Sequence, residues 1–144
     1  MKWIAVGLVM IVSVVAMTAQ QRSLSSAKDT RIHADRVVDL FSRGQYSTAF
    51  EELRMIWHFP MEEIDALESK TKESMASVVG RYGSPTGYEF LGETKAATSV
   101  VRYRYVVRCG FHPLHVRVTY YRGSKGWILN SFIWDDEVGP LFGE

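Results

Sequence analysis

The sequence predicts an α+β domain in which three N-terminal helices pack on a curved four-stranded antiparallel sheet, after an N-terminal export segment. Three observations carry this expectation. Apolar residues recur at helical spacing as far as Tyr82 and at every second position after Pro85, where β-branched and aromatic residues also take over. The later apolar runs are joined by Ala96-Ala97-Thr98, Gly110-Phe111-His112-Pro113 and Gly123-Ser124-Lys125, which are too short for parallel crossovers. Helices grouped ahead of the strands give two layers, with the helices covering one face of the sheet.

Residues 1–19 carry a single charge, Lys2, followed by Ile, Val, Leu, Met and Ala. As a helix, residues 3–19 would span roughly 26 Å, a little short of a hydrocarbon core of about 30 Å. The run is a signal peptide or, if uncleaved, a membrane anchor, so the protein is expected to be exported: periplasmic, or held on the outer side of the cytoplasmic membrane. Lipid attachment through cysteine is excluded near this segment, because the chain's one cysteine is Cys109. Residues 20–28, rich in Ser and Gln, read as a flexible polar tether. Residues 29–144 are one domain's length.

Ala34, Val37, Val38 and Phe41 form the stripe of the first helix, and Gly44 stands where a C-cap glycine belongs. Thr48 and Glu51 have the spacing of a capping box for a second, short helix with Phe50, Leu53, Ile56 and Trp57 on one side. Pro60 suits the first turn of a third helix, which carries Ile64, Leu67, Thr71, Met75, Val78 and Tyr82 on one face and ends at Gly83 and Pro85. This longest helix is expected to be the one packed on the sheet.

The strands are predicted at residues 87–95, 99–109, 114–122 and 126–135. Pairing Cys109 with Leu114 places Tyr103, Tyr105, Val107, Val116, Val118 and Tyr120 on one face, and continuing the register adds Ile128, Asn130, Phe132 and Trp134. The opposite face then holds Arg102, Arg104, Arg108, His115 and Arg117, with Trp127, Leu129 and Ile133 beside them.

The helix ending near Gly44-Gln45-Tyr46, Ala49-Phe50, the long helix ending Arg81-Tyr82-Gly83 and the last strand ending Trp134-Asp135-Asp136 resemble the nuclear transport factor 2-like (cystatin-like) cone superfamily, and within it small exported bacterial members without an assigned activity. The resemblance implies a cone with a pocket. In the superfamily's enzymes, such as ketosteroid isomerases and scytalone dehydratases, Asp, His or Tyr inside the cone moves a proton. Here the polar groups expected inside are Tyr103, Tyr105, Tyr120 and Asn130, and a tyrosine with an ordinary pKa of about 10 is poorly suited to general acid–base work alone.

With Trp134, these four residues form the expected ligand pocket, suited to a small apolar ligand. Arg102, Arg104, Arg117, Trp127 and Leu129 form the expected interface for a homodimer or an envelope protein partner, because Arg forks suit carboxylates and a half-apolar face suits association. In a dimer the basic face would meet the acidic tail Asp135-Asp136-Glu137 of the second copy. The first expectation for function is therefore a non-catalytic binding or interaction domain. The alternative is a small isomerase- or dehydratase-like enzyme whose proton carrier comes from His33, His58, Asp135 or Asp136.

Other classes are excluded. Without Lys2 the chain holds 16 basic and 16 acidic residues, which argues against nucleic acid as a partner and against a membrane contact other than through the N-terminal segment. No cofactor is expected, since the phosphate-cradling and dinucleotide glycine patterns are absent. No metal is expected either, because His112 and His115 flank Pro113 in divergent directions without further ligands at spacing. Cys109 reads as a small apolar residue of the interior.

Overall fold

A computed structural model describes residues 22–143; the predicted export segment lies outside them. Three helices, α1 (Ala27–Ser42), α2 (Tyr46–Ile56) and α3 (Met61–Tyr82), precede four strands, β1 (Pro85–Ala96), β2 (Val100–Cys109), β3 (Pro113–Gly123) and β4 (Gly126–Asp135). The strands form one antiparallel sheet in the order β1-β2-β3-β4, and the protein is α+β as its periodicity predicts. No helix among the described residues is long and apolar enough to cross a membrane.

Local chemistry sets the helix ends. Ser26 caps α1 by accepting the Asp29 N–H, while its hydroxyl donates to the Asp29 carboxylate at 2.8 Å. At the other end Gly44 adopts φ +75°, and the N–H groups of Gly44 and Gln45 reach the carbonyls of Phe41 and Leu40, both at 3.0 Å. This is a Schellman closure, as the glycine's position led us to expect. The closure also decides how α2 starts. Its N-cap is Gln45 with no side-chain bond, so Thr48 falls inside the first turn and the capping-box expectation is corrected.

The second correction concerns which helix covers the sheet. α1 lies against β1, β2 and β3, α2 bridges α1 and β4, and α3 packs on α2. α1 can do this because Ala34, Val37, Val38 and Phe41 are fully buried along one face, whereas the 22 residues of α3 bury only Ile64, Thr71 and Met75. Polar bonds help hold α3: Arg54 of α2 reaches Asp65 and Glu68, and Lys72 reaches Glu68 at 2.7 Å. Burial raises the Glu68 carboxyl, but the bonds from Lys72 and Arg54 outweigh it and hold that group at about 2.

A third correction falls at the chain's start. Low apolar content suggested a loose tether, yet residues 22–26 are bound to the body. Arg22 N–H donates to the Met55 carbonyl at 3.0 Å, and Leu24 exchanges two backbone bonds of 2.8 Å with Trp127. The free edge of β4 and the last turn of α2 supply these partners, so no hydrophobic content is required. Gly126 makes the approach possible. It sits at φ +133°, and a Cβ there would lie 2.8 Å from the Leu24 carbonyl oxygen.

Irregular steps in the ladders bend the sheet. The β1–β2 register slips between Pro85 and Gly87 and between Phe90 and Gly92, and the β3–β4 register slips between Thr119 and Tyr120. In the last case Thr119 pairs with Ser131 and Tyr120 with Leu129, leaving Asn130 as the extra residue of a bulge.

Candidate functional site

The bulge at Asn130 reverses the facing of half of β4. Phe132 and Trp134 face the helices as expected, but upstream of the bulge Trp127 and Leu129 also turn inward and are 7% and 2% exposed. Both therefore belong to the core and leave the expected interface. Asn130 is exposed, and the inward amide expected of it is corrected too. A residue inserted into one strand changes the parity of everything beyond it. Trp134 is half-buried with its ring 5.8 Å from Phe41.

Tyr103, Tyr105 and Tyr120 do face the helices, each at most 2% exposed. All three hydroxyls are taken by α1 or its first turn. The Tyr103 hydroxyl lies 2.8 Å from Thr30 Oγ1 and donates to the Ala27 carbonyl at 3.3 Å. The Tyr105 hydroxyl donates to Asp35 Oδ1 at 2.7 Å, and that carboxylate also accepts from Arg31, whose guanidinium lies 3.4 Å above the Phe90 ring. The Tyr120 hydroxyl is 2.7 Å from His33 Nδ1.

His33 has one consistent tautomer. Its Nε2 lies 3.1 Å from the Glu52 carbonyl, an acceptor, so Nε2 carries the hydrogen and Nδ1 accepts from Tyr120. Burial lowers the His33 pKa and raises that of Tyr120 well above its ordinary value, which keeps both neutral. Tyr105 is pushed up by burial first and then by the Asp35 carboxylate. These groups hold a helix on a sheet. Each proton they could move is committed to a neighbour of the same fold.

The other candidate proton carriers are scattered. His58 is exposed in the turn before α3, with Nε2 3.2 Å from the Arg22 carbonyl. Asp135 pairs with Arg117 on the far face of the sheet, and Asp136 accepts from the Tyr82 hydroxyl at 2.9 Å. None of these shares a hydrogen bond or ion pair with His33 or Tyr120 among the described residues. Of the tail acids, two are thus already bonded within their own chain, which leaves them poorly placed to meet a second copy.

The face away from the helices keeps its basic character. Arg102, Arg104 and Arg108 of β2 project there, and the register seats two of them on glycine: Arg104 is paired with Gly92 and Arg108 with Gly87. A Cβ at Gly87 would lie 2.8 Å from Arg108 Nη2, and one at Gly92 would lie 3.5 Å from Arg104 Nη2. Gly87 thus clears space for the Arg108 guanidinium, whereas a Cβ at Gly92 would make only ordinary contact with Arg104; the Gly87 signal was in the sequence but only the register reveals it. Arg102 donates to Thr119 Oγ1 at 3.0 Å. Arg102, Arg104 and Thr119 line a shallow cleft of about 240 Å³ with Thr94, Ala96 and Val100.

Arg117, opposite Arg104, is neutralised by Asp135. Among the described residues no carboxylate pairs with Arg102, Arg104 or Arg108. The apolar part of this face is Tyr121, 44% exposed, its cross-strand partner Ile128, and Ile133, 46% exposed. His115 is buried on the same face. Arg117 Nη1 donates to its Nδ1 at 3.3 Å, so Nε2 carries the hydrogen and has no partner among the described residues. Burial and then Arg117 lower its pKa.

His112 and His115 are indeed separated: His112 stacks on Tyr82 with ring centroids 4.3 Å apart, and its Nε2 lies 2.8 Å from the Asp136 carbonyl. Cys109 is half-buried, and burial raises its thiol pKa. The two layers define an α+β protein whose sheet has one face under helices and one face bearing unpaired arginines. Compared with known proteins, the chain matches no family model and no curated protein.

Proposed function

We propose that the chain is an exported domain of the nuclear transport factor 2-like cone class that binds rather than catalyses, and that its contact surface is the sheet face opposite the helices. The observation that carries this reading is the row Arg102, Arg104 and Arg108, free of carboxylate partners among the described residues and set on Gly92 and Gly87 beside exposed Tyr121 and Ile133. Guanidinium groups without a carboxylate partner suit carboxylates presented by another protein surface. The inner face supports the same reading from the other side. Tyr103, Tyr105, Tyr120 and His33 are hydrogen-bonded to one another or to the helices, so these groups hold the two layers together rather than stand open to a substrate.

The first partner to consider is a second copy. Two rows of cations repel if superposed, so an isologous pair must be offset, with the Tyr121, Ile128 and Ile133 patch meeting its counterpart and Glu89, which the register puts on this face opposite Val106, meeting the arginines. Sedimentation equilibrium across salt concentrations tests it. The expected result is a dimer at low salt that weakens as salt rises and is lost in Arg102→Glu/Arg104→Glu. A wild-type chain that stays monomeric at high concentration and low salt removes the homodimer and leaves a different acidic partner.

A further inference from the structure

The start of the described chain is held at one end of the molecule. Arg22 donates to the Met55 carbonyl at 3.0 Å and its own carbonyl lies 3.2 Å from His58 Nε2, while the Ser23 hydroxyl donates to Lys125 in the β3–β4 turn at 2.9 Å. The turn between α2 and α3 therefore adjoins the point where residues 1–21 enter. That turn is apolar and faces outward. Met55, Phe59 and Met61 are 40%, 48% and 48% exposed, and Phe59 stacks on Trp57 with centroids 5.4 Å apart. Single exposed apolar residues need no explanation, but three within seven positions at this junction form a patch.

The length of chain outside the described residues says what covers it. Residues 3–19 are an apolar run, and only Gln20 and Gln21 separate Ala19 from Arg22. Three Cα steps reach about 11 Å at most. The headgroup layer on each side of a bilayer is about 5–8 Å thick. If the run stays in a bilayer, the turn has no room to stand off from the headgroups.

The geometry points to a lipid surface as the occupant of this turn: with residues 3–19 retained as an anchor, Met55, Phe59 and Met61 rest at the boundary between headgroups and acyl chains. This rests on the anchor form of the export reading and is independent of what the sheet face binds. The polar neighbours fit a bilayer of mixed charge, since Arg22 and His58 meet lipid phosphates while Glu62 and Glu63, in the first turn of α3, disfavour a strongly anionic surface. The opposite end of the molecule points into water. The β2–β3 loop packs on the far end of α3, where Phe111 N–H donates to the Tyr82 carbonyl at 2.8 Å, about 32 Å along the helix from Met61.

Nitroxide depth measurements on the full chain, purified from membranes and reconstituted in phosphatidylcholine–phosphatidylglycerol vesicles, test this. The label goes on Met61→Cys or Phe111→Cys, with Cys109→Ser in both, and Phe59→Cys serves as a second reporter should Met61→Cys fold poorly. The expected result is that position 61 is reached by oxygen and shielded from a water-soluble nickel complex, with the reverse at position 111. Phe111 is a stringent control because it is 86% exposed, and indiscriminate adsorption of apolar side chains would bury it as well. Aqueous accessibility at position 61 in vesicle-bound chain overturns the proposal. So does recovery of a shortened chain outside the membrane fraction, and so does shielding of position 61 from both reagents, which would mean that residues 3–19 or a second copy cover the turn.

Discussion

Three tyrosine hydroxyls fix α1 on the sheet, and the bond from Tyr120 to His33 is the most deeply enclosed of them. Tyr120→Phe keeps the ring and removes the donor, leaving His33 Nδ1 as a buried acceptor without a partner. The expected cost is about 1–3 kcal/mol in urea unfolding, against little change for Tyr121→Phe on the exposed face. The same histidine makes stability depend on pH. His33 and His115 are held below their ordinary value of about 6.5, so below that value the unfolded chain binds more protons than the folded one. Their contribution is complete above about pH 6.5 and is lost as pH falls from there through each folded value. The urea midpoint should drop over that window, and drop less in His33→Gln. An unchanged midpoint would show that burial does not hold these rings neutral. The short 110–113 loop made the facing of the tyrosines legible but not the β2–β3 register: Val107, not Cys109, pairs with Leu114, and because the shift is two residues the inward direction is unchanged. The tyrosines' partners were not legible, because Thr30 and His33 read only as positions on a helix until that helix is placed.

The change of period at Pro85 placed every helix and strand to within a few residues, because each element has its own repeat and the connections between strands are short. What the pattern could not carry was the parity of β4. Trp127 and Leu129 lie on one parity, Ile128, Phe132 and Trp134 on the other, so the alternation fits two facings and only the bulge at Asn130 satisfies both halves. Deletion of Asn130 should therefore be tolerated. It joins Leu129 to Ser131 in a regular ladder with Trp127, Leu129 and Phe132 still inward, at a cost of about 1–2 kcal/mol for the lost curvature. Deletion of Ile128 instead sends Trp127 outward and should abolish cooperative unfolding, as tryptophan fluorescence would report. The placement of α3 did have a signal. Its Glu62, Glu63, Asp65, Glu68, Lys70, Lys72 and Glu73 leave too narrow an apolar stripe for a helix that covers a sheet. The fixed position of residues 22–26 had almost none, since backbone bonds to a strand edge leave no trace in side-chain composition apart from Gly126.

The molecule presents two unlike surfaces, an inner one on which Tyr103, Tyr105, Tyr120 and His33 are hydrogen-bonded within the fold and an outer one on which Arg102, Arg104 and Arg108 have no carboxylate partner among the described residues. Charge alone pointed to Arg102 and Arg104, whereas the apolar half of that face was misread because it depended on β4 parity; Tyr121 and Ile128 stand where Trp127 and Leu129 were expected. Binding through the outer face can be read without knowing the partner, by arginine-selective modification with phenylglyoxal in intact envelopes and in the dilute purified chain. Arg81, exposed at the end of α3, is the internal reference. In the purified chain all three arginines should react. In the envelope Arg102 and Arg104 should be several-fold protected relative to Arg81, and Arg102 and Arg104 reacting there as readily as Arg81 would contradict the assignment of this face as the binding surface.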